Sequence, residues 1–135
     1  MSKQRKHSVL VVDDEASVLF TYKLLLEQQG YSVSAVASSM EAHEELKKRN
    51  FDLLLCDLSL EENHNGFEVI SYARERQPRI ACVLLTGYAS SEAAHKAADL
   101  GVTVLYKPID IQEFLTTIPA VLKERYEQTQ AARGQ

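Results

Sequence analysis

Apolar residues in this chain fall into short continuous runs, separated by longer segments in which they recur every three or four positions. Val9 to Val12 is wholly apolar and reads as a strand. Ala16 to Gln29 follows with Val18, Leu19, Tyr22, Leu25 and Leu26 at helical spacing, and Gly30 marks its stop. Tyr31 to Ala37 alternates instead, with Ser32 and Ser34 on one face. A relatively polar face predicts an edge strand. Ser38 or Ser39 caps a polar helix to about Lys48, with Ala42 and Leu46 turned inward. Leu53 to Cys56 is a third strand. A polar loop, Glu61 to Gly66, leads to a helix from Phe67 to Gln77 that Pro78 closes. Ile80 to Leu85 is a fourth strand, Ser91 to Leu100 an Ala-rich helix ended by Gly101, and Val102 to Tyr106 a fifth strand. Asp110 with Glu113 reads as a capping box for a last helix that buries Phe114, Leu115, Ile118 and Leu122.

Strands without a polar face imply a parallel sheet covered on both sides, and regular alternation makes right-handed crossovers the natural connection. The expectation is an α/β, doubly wound (βα)5 domain over residues 8–125. A tail, 1–7, precedes it, and a polar segment, 126–135, is a frayed end or the start of a linker. Pro119 removes a donor inside the last helix. Because the apolar stripe continues to Leu122, a bend is expected there and not an end.

Composition narrows the function. The chain has 135 residues, suited to one domain, and a net charge of −4. That charge argues against direct nucleic-acid binding, which needs clustered Lys and Arg. The basic run of Lys3, Arg5 and Lys6 reads as solvated tail. Cys56 and Cys82 lie inside apolar runs and read as small buried hydrophobes, and the four histidines (His7, His43, His64, His95) as surface residues. No apolar stretch approaches the roughly 20 residues that span a bilayer, so a cytoplasmic setting without membrane contact is expected.

Ligands of an open parallel sheet bind beyond the carboxyl ends of its strands. Those ends here are Asp13-Asp14, Asp57, Thr86-Gly87 and Lys107-Pro108. Clustered carboxylates repel one another unless a cation sits among them, and an all-oxygen set suits a hard ion such as Mg²⁺. A neutralised carboxylate can attack phosphorus, and a lysine and a hydroxyl can supply countercharge to phosphoryl oxygens.

The runs Val11-Val12-Asp13-Asp14-Glu15, Leu55-Cys56-Asp57, Leu84-Leu85-Thr86-Gly87 and Tyr106-Lys107-Pro108 resemble the receiver domains of bacterial response regulators. The resemblance spans about Ser8 to Glu124. It implies a flavodoxin-like sheet in the order 2-1-3-4-5. It also implies that Asp57 accepts a phosphoryl group from a sensor histidine kinase or a histidine phosphotransfer protein, for the benefit of an output domain or protein partner. Asp13, Asp14, Asp57 and the backbone carbonyl of Ser59 are then the Mg²⁺ ligands. Lys107 pairs with the phosphoryl group, with a cis peptide before Pro108, and Thr86 swings toward it. Such a domain is not an enzyme in the ordinary sense, since it catalyses only its own phosphorylation and dephosphorylation. Ser59 and Tyr88 are implied to flank the path of the hydrolytic water, with Tyr88 expected to shield the phosphoryl group.

Three departures stand out. Glu61 replaces the proline usual in the loop after the acceptor, and Gly66 comes one residue late. The aromatic position three residues before the lysine is Val104, and Tyr106 is expected on the opposite face of its strand. Pro119 is the third. A phosphohydrolase using an aspartyl phosphate would need a carboxylate where Ser59 stands. A nucleotide or flavin site would need a Gly-rich loop where Asp13-Asp14-Glu15 stands. A receiver-like module that is never phosphorylated would have no use for the complete acidic set.

Overall fold

The structure is a computed structural model that describes residues 6–60 and 65–133. Five strands alternate with five helices: β1 (Ser8–Val12), α1 (Ala16–Gln28), β2 (Ser32–Val36), α2 (Ser39–Lys48), β3 (Leu53–Asp57), α3 (Gly66–Arg76), β4 (Ala81–Thr86), α4 (Ser91–Asp99), β5 (Thr103–Tyr106) and α5 (Ile111–Arg133). All pairings are parallel, in the order β2-β1-β3-β4-β5, so the alternating second strand is an edge as its polar face predicts.

Strand alternation divides the core in two. Leu10, Val12, Leu54, Cys56, Cys82 and Leu84 face α2, α3 and α4, while Val9, Val11, Leu53, Leu55, Val83, Leu85 and Leu105 face α1 and α5. On the second side Tyr22 of α1 stacks on Phe114 of α5, ring centroids 5.3 Å apart. β1, β3 and β4 are covered on both faces, which is why their sequences carry no polar alternation.

The helix ends follow the chemistry of their sequences. The Ser38 hydroxyl accepts the Glu41 N–H, and the Asp110 carboxylate accepts the Glu113 N–H at 2.9 Å. Gly30 and Gly101, at φ +96° and +66°, supply the left-handed residue after α1 and α4. Cys56 and Cys82 are buried, and burial pushes the Cys82 thiol up to about 11, the state of an inert core residue.

Four expectations need correction or completion. Val104 and Tyr106 are two residues apart and therefore share a face, with Leu105 opposite. Val104 packs with the core beneath α4, and Tyr106, 50% exposed, sits in register with Thr86. His43 is not a free surface residue: its ring stacks on Tyr72 of α3 at 4.1 Å, with Glu68 beside it at 3.8 Å. His7 and His95 are exposed, as is Lys6, while Lys3, Arg5, Glu61 and His64 lie outside the described residues. The polar segment after residue 125, expected as a frayed end or the start of a linker, continues α5 to Arg133, and the helix runs through Pro119 without ending there. Arg125 supports that extension, donating from Nε to the Arg79 carbonyl at 3.4 Å and from its terminal nitrogen to the Pro78 carbonyl.

One side chain with no sequence signal ties the α2 face together. Gln77, just after α3, donates to the Leu46 and Arg49 carbonyls at 3.0 and 2.9 Å and accepts the Phe51 N–H at 2.8 Å. It thereby caps the carbonyl end of α2 from another helix. Gln77→Ala strands all three groups and is expected to cost about 2–3 kcal/mol. Urea unfolding checks this, and an unchanged midpoint would exclude the capping role.

Candidate functional site

The carboxyl ends of β1, β3 and β5 bring Asp13, Asp57 and Lys107 together. The Lys107 ammonium donates to Asp13 Oδ2 at 3.0 Å and to Asp57 Oδ2 at 2.6 Å. Both carboxylates are buried, at 0% and 6% exposure, and Lys107 is half-buried. The remaining oxygens are also engaged. Asp13 Oδ1 accepts the Glu15 N–H at 2.9 Å, and Asp57 Oδ1 accepts the Ser59 N–H at 3.0 Å. The peptide bond between Lys107 and Pro108 is cis, as expected.

Electrostatics at this rim are a contest between burial and pairing. Burial raises the Asp57 carboxyl above its ordinary 3.8 and outweighs the Lys107 ammonium and the Ser59 N–H, which pull it down. The neighbouring Asp13 pushes it further up. Burial alone would lower Lys107, but its hydrogen bonds to Asp57 and Asp13 win, so it is held above its ordinary 10.5 and stays charged.

Asp14 is exposed and completes a cluster with Asp13 and Asp57 in which one oxygen of each lies within 4.8 Å of the others. That donor set, three hard oxygens with no nitrogen or sulfur, fits a divalent cation such as Mg²⁺. Ser59 is placed at the same rim, its N–H on Asp57 and its backbone bridged to Asn65.

Thr86 is close by but occupied elsewhere. Its buried hydroxyl donates to the Tyr88 carbonyl at 2.7 Å and accepts the Tyr88 N–H at 3.1 Å. Its own carbonyl accepts the Lys107 N–H at 2.7 Å, which fixes the lysine against β4. Tyr88 is 79% exposed, so the shielding expected of it is not in place in this state.

Gly66 stands where the start of α3 leaves no room for a side chain. A Cβ on Gly66 would stand 2.5 Å from the Asp57 carbonyl oxygen and 2.9 Å from a Leu84 methyl. Its N–H also donates to the Leu58 carbonyl at 2.8 Å, so α3 begins directly against the backbone of Asp57. The sequence marks this glycine as displaced by one position. Only the structure shows the close approach that requires it.

The sequence matches the family described as response regulator receiver domain over residues 9–119. It is 34% identical over 108 residues to the alginate biosynthesis transcriptional regulatory protein AlgB of Pseudomonas aeruginosa, covering 79% of this chain and 24% of that protein. It is 33% identical over 115 residues to the transcriptional regulatory protein ZraR of Escherichia coli O157:H7, covering 84% and 26%. The chain thus spans about a quarter of the length of these relatives. Among solved structures, a CheY-like receiver domain protein from Methanospirillum hungatei superimposes with a TM-score of 0.85 at 28% identity, covering 92% of this chain and 99% of that one. The chemotaxis protein CheY4 of Vibrio cholerae does so at 0.79 and 28%, covering 87% and 99%.

Gly66→Ala is expected to destabilise the domain by about 1–3 kcal/mol, because backbone on one side and a packed leucine on the other resist the new methyl. Gly87→Ala, where a Cβ meets nothing within 4 Å, is the control and should stay within about 0.5 kcal/mol of the parent. Denaturant unfolding of both variants measures the difference, and equal effects would contradict the close-approach argument.

Proposed function

This chain belongs to the response regulator receiver domain family, and from that membership and the geometry of its acidic rim we propose that Asp57 is the acceptor of a phosphoryl group delivered by the phosphohistidine of a sensor histidine kinase or a histidine phosphotransfer protein. The observation that carries this reading is the Lys107 ammonium shared by Asp57 and Asp13. It is a fixed cation already touching the oxygen at which phosphoryl charge would arrive.

In the transfer, a carboxylate oxygen of Asp57 attacks phosphorus, the bond from phosphorus to the imidazole nitrogen breaks, and an acyl phosphate remains on Asp57. The reaction is governed by positioning and charge, because the transferred group carries its negative charge throughout. Ser59, through its N–H, and Lys107 hold the two oxygens of Asp57 in place before the donor arrives. Lys107 then has a phosphoryl oxygen to pair with in place of a carboxylate. Asp13, Asp14 and Asp57, with the backbone carbonyl of Ser59, would hold Mg²⁺. When bound, that ion neutralises the carboxylates and the incoming phosphoryl oxygens.

Thr86 supplies the readout in this reading. Its hydroxyl can serve either the Tyr88 backbone or a phosphoryl oxygen, and turning to the second releases the loop ahead of α4. The domain turns over no separate substrate, since its chemistry is confined to gaining and losing its own phosphoryl group. The net charge of −4 argues against direct nucleic-acid contact by the domain, so the signal passes to an output domain or a protein partner. No described helix is long and apolar enough to cross a membrane. A cytoplasmic setting belongs to this reading because the proposed kinase donor draws on cytoplasmic ATP.

Incubation with acetyl phosphate and Mg²⁺ should add one phosphoryl group by intact-protein mass spectrometry. Asp57→Asn should add none, and Asp14→Ala should label at least tenfold more slowly, the effect of weakening charge neutralisation at the acceptor. Full labelling of Asp57→Asn would refute the acceptor, and undiminished labelling of Asp14→Ala would remove that residue from the metal site.

A further inference from the structure

Strand alternation puts the three charged groups of the rim on one face of the sheet. Val9 and Val11, Leu53 and Leu55, and Leu105 face α1 and α5. Asp13, Asp57 and Lys107 continue each of these sets two residues on. Tyr22 of α1 packs into the same apolar cluster, 6% exposed, with its ring stacked on Phe114. It also lines a cavity of about 370 Å³ between α1 and the turn at Lys107 and Pro108. Lys107 is the one charged residue on the wall of that cavity.

Packing alone does not account for a tyrosine at this place. A phenylalanine would fill the cluster and stack on Phe114 equally well. A hydroxyl in apolar surroundings is costly unless it is hydrogen-bonded, and a buried tyrosine usually finds a partner. The Tyr22 hydroxyl takes part in no hydrogen bond among the described residues. Burial holds the phenol above its ordinary 10.0, Lys107 pulls it down, and Asp13, Asp57 and Glu15 push it further up. The phenol therefore keeps its proton, and Lys107 is the one cation that acts on it. Thr21, another hydroxyl beside the cavity, is already committed, donating to the Ser17 carbonyl at 2.9 Å.

We propose that Tyr22 is a positioning residue for Lys107, its hydroxyl oxygen accepting an ammonium N–H once the lysine turns from Asp57 to a phosphoryl oxygen. The proposal rests on the reading of Asp57 given above. An ammonium is donor only, with three N–H groups to place. In the resting domain two of them are placed, on Asp13 Oδ2 and Asp57 Oδ2. Conversion of Asp57 to an acyl phosphate removes the carboxylate charge that holds one of these, and Lys107 follows the charge to the phosphoryl oxygens. The stem of a lysine is flexible, and the cavity beside it leaves room to swing away from the rim. A hydroxyl on the wall of that cavity gives the displaced ammonium an acceptor close to the rim. The stack on Phe114 fixes this hydroxyl before the lysine moves, so little further ordering is needed to hold Lys107.

Tyr22→Phe tests this, because it keeps the ring and its stack and removes only the oxygen. Labelling by acetyl phosphate with Mg²⁺ should be about tenfold slower than in the parent, the loss of one hydrogen bond to a charged group. Lys107 itself is read by nitrogen-15 NMR of its ammonium, with beryllofluoride and Mg²⁺ as the phosphoryl mimic. In the complex the ammonium protons should exchange with water about tenfold faster in Tyr22→Phe than in the parent. Without the mimic the two proteins should exchange alike and share one urea midpoint. Labelling of Tyr22→Phe at the parent rate overturns the positioning role. So does slower labelling with unchanged ammonium exchange, which places the effect away from Lys107. A difference in exchange or in midpoint already present without the mimic overturns the handover from Asp57. A parent that takes up neither beryllofluoride nor a phosphoryl group refutes the Asp57 reading, and the role of Tyr22 with it.

Discussion

The Lys107 ammonium stands between two carboxylates that are almost completely removed from water, and the carboxyl pole of the sheet is organised around it. Two like charges cannot be buried side by side without compensation, and removing one partner of a buried pair typically costs about 3–5 kcal/mol. Lys107 supplies the compensation from β5, Asp13 stands at the end of β1 and Asp57 at the end of β3. One cation therefore ties together three strand ends that are far apart in sequence. The order β2-β1-β3-β4-β5 makes this possible, because the crossovers leaving β1 and β3 go to opposite sides of the sheet and open a crevice between them.

The same charge balance links the site to the rest of the molecule. The rim is held together by interactions that a phosphoryl group would redistribute, because it brings oxygens that compete for Lys107 and for the Thr86 hydroxyl. Thr86 is connected in two directions, to Lys107 through its carbonyl and to Tyr88 through its hydroxyl. A change at Asp57 thus has a short covalent and hydrogen-bonded route to the loop before α4, the helix least supported by apolar packing. On the other side of Asp57, Gly66 lets α3 start against the carbonyl of Asp57 itself.

Much of this was legible in the sequence, because the strands that are buried on both faces carry no polar residue until they reach the rim. Leu53 to Cys56 followed by Asp57 is such a case: the first polar residue after an apolar run is the one that meets Lys107 at the rim. Helix caps at Ser38 and Asp110 were readable because they act within three residues. What escaped depends on long-range partners. The polar end of α5 looks like a tail until Arg125 reaches the carbonyls of Pro78 and Arg79. Gln77 looks like an ordinary helix end until α2 comes within its reach. His43 looks exposed until Tyr72 stacks on it. The face of Tyr106 is a different matter: strand alternation places it with Val104, and the expectation of the opposite face was a misreading of that period. The direction of the Thr86 hydroxyl had no sequence signal at all, since it depends on the backbone of a loop two residues away.

Lys107 makes the buried carboxylates of the rim tolerable, and on the proposed function it competes there with a metal ion. Calorimetric titration of Mg²⁺ into the parent and into Lys107→Met tests this, because the variant keeps an unbranched side chain of similar length and loses the ammonium with its charge and its two hydrogen bonds. Lys107→Met should bind Mg²⁺ more tightly than the parent, the ion replacing the missing ammonium between Asp13 and Asp57. Equal or weaker binding in the variant would contradict it.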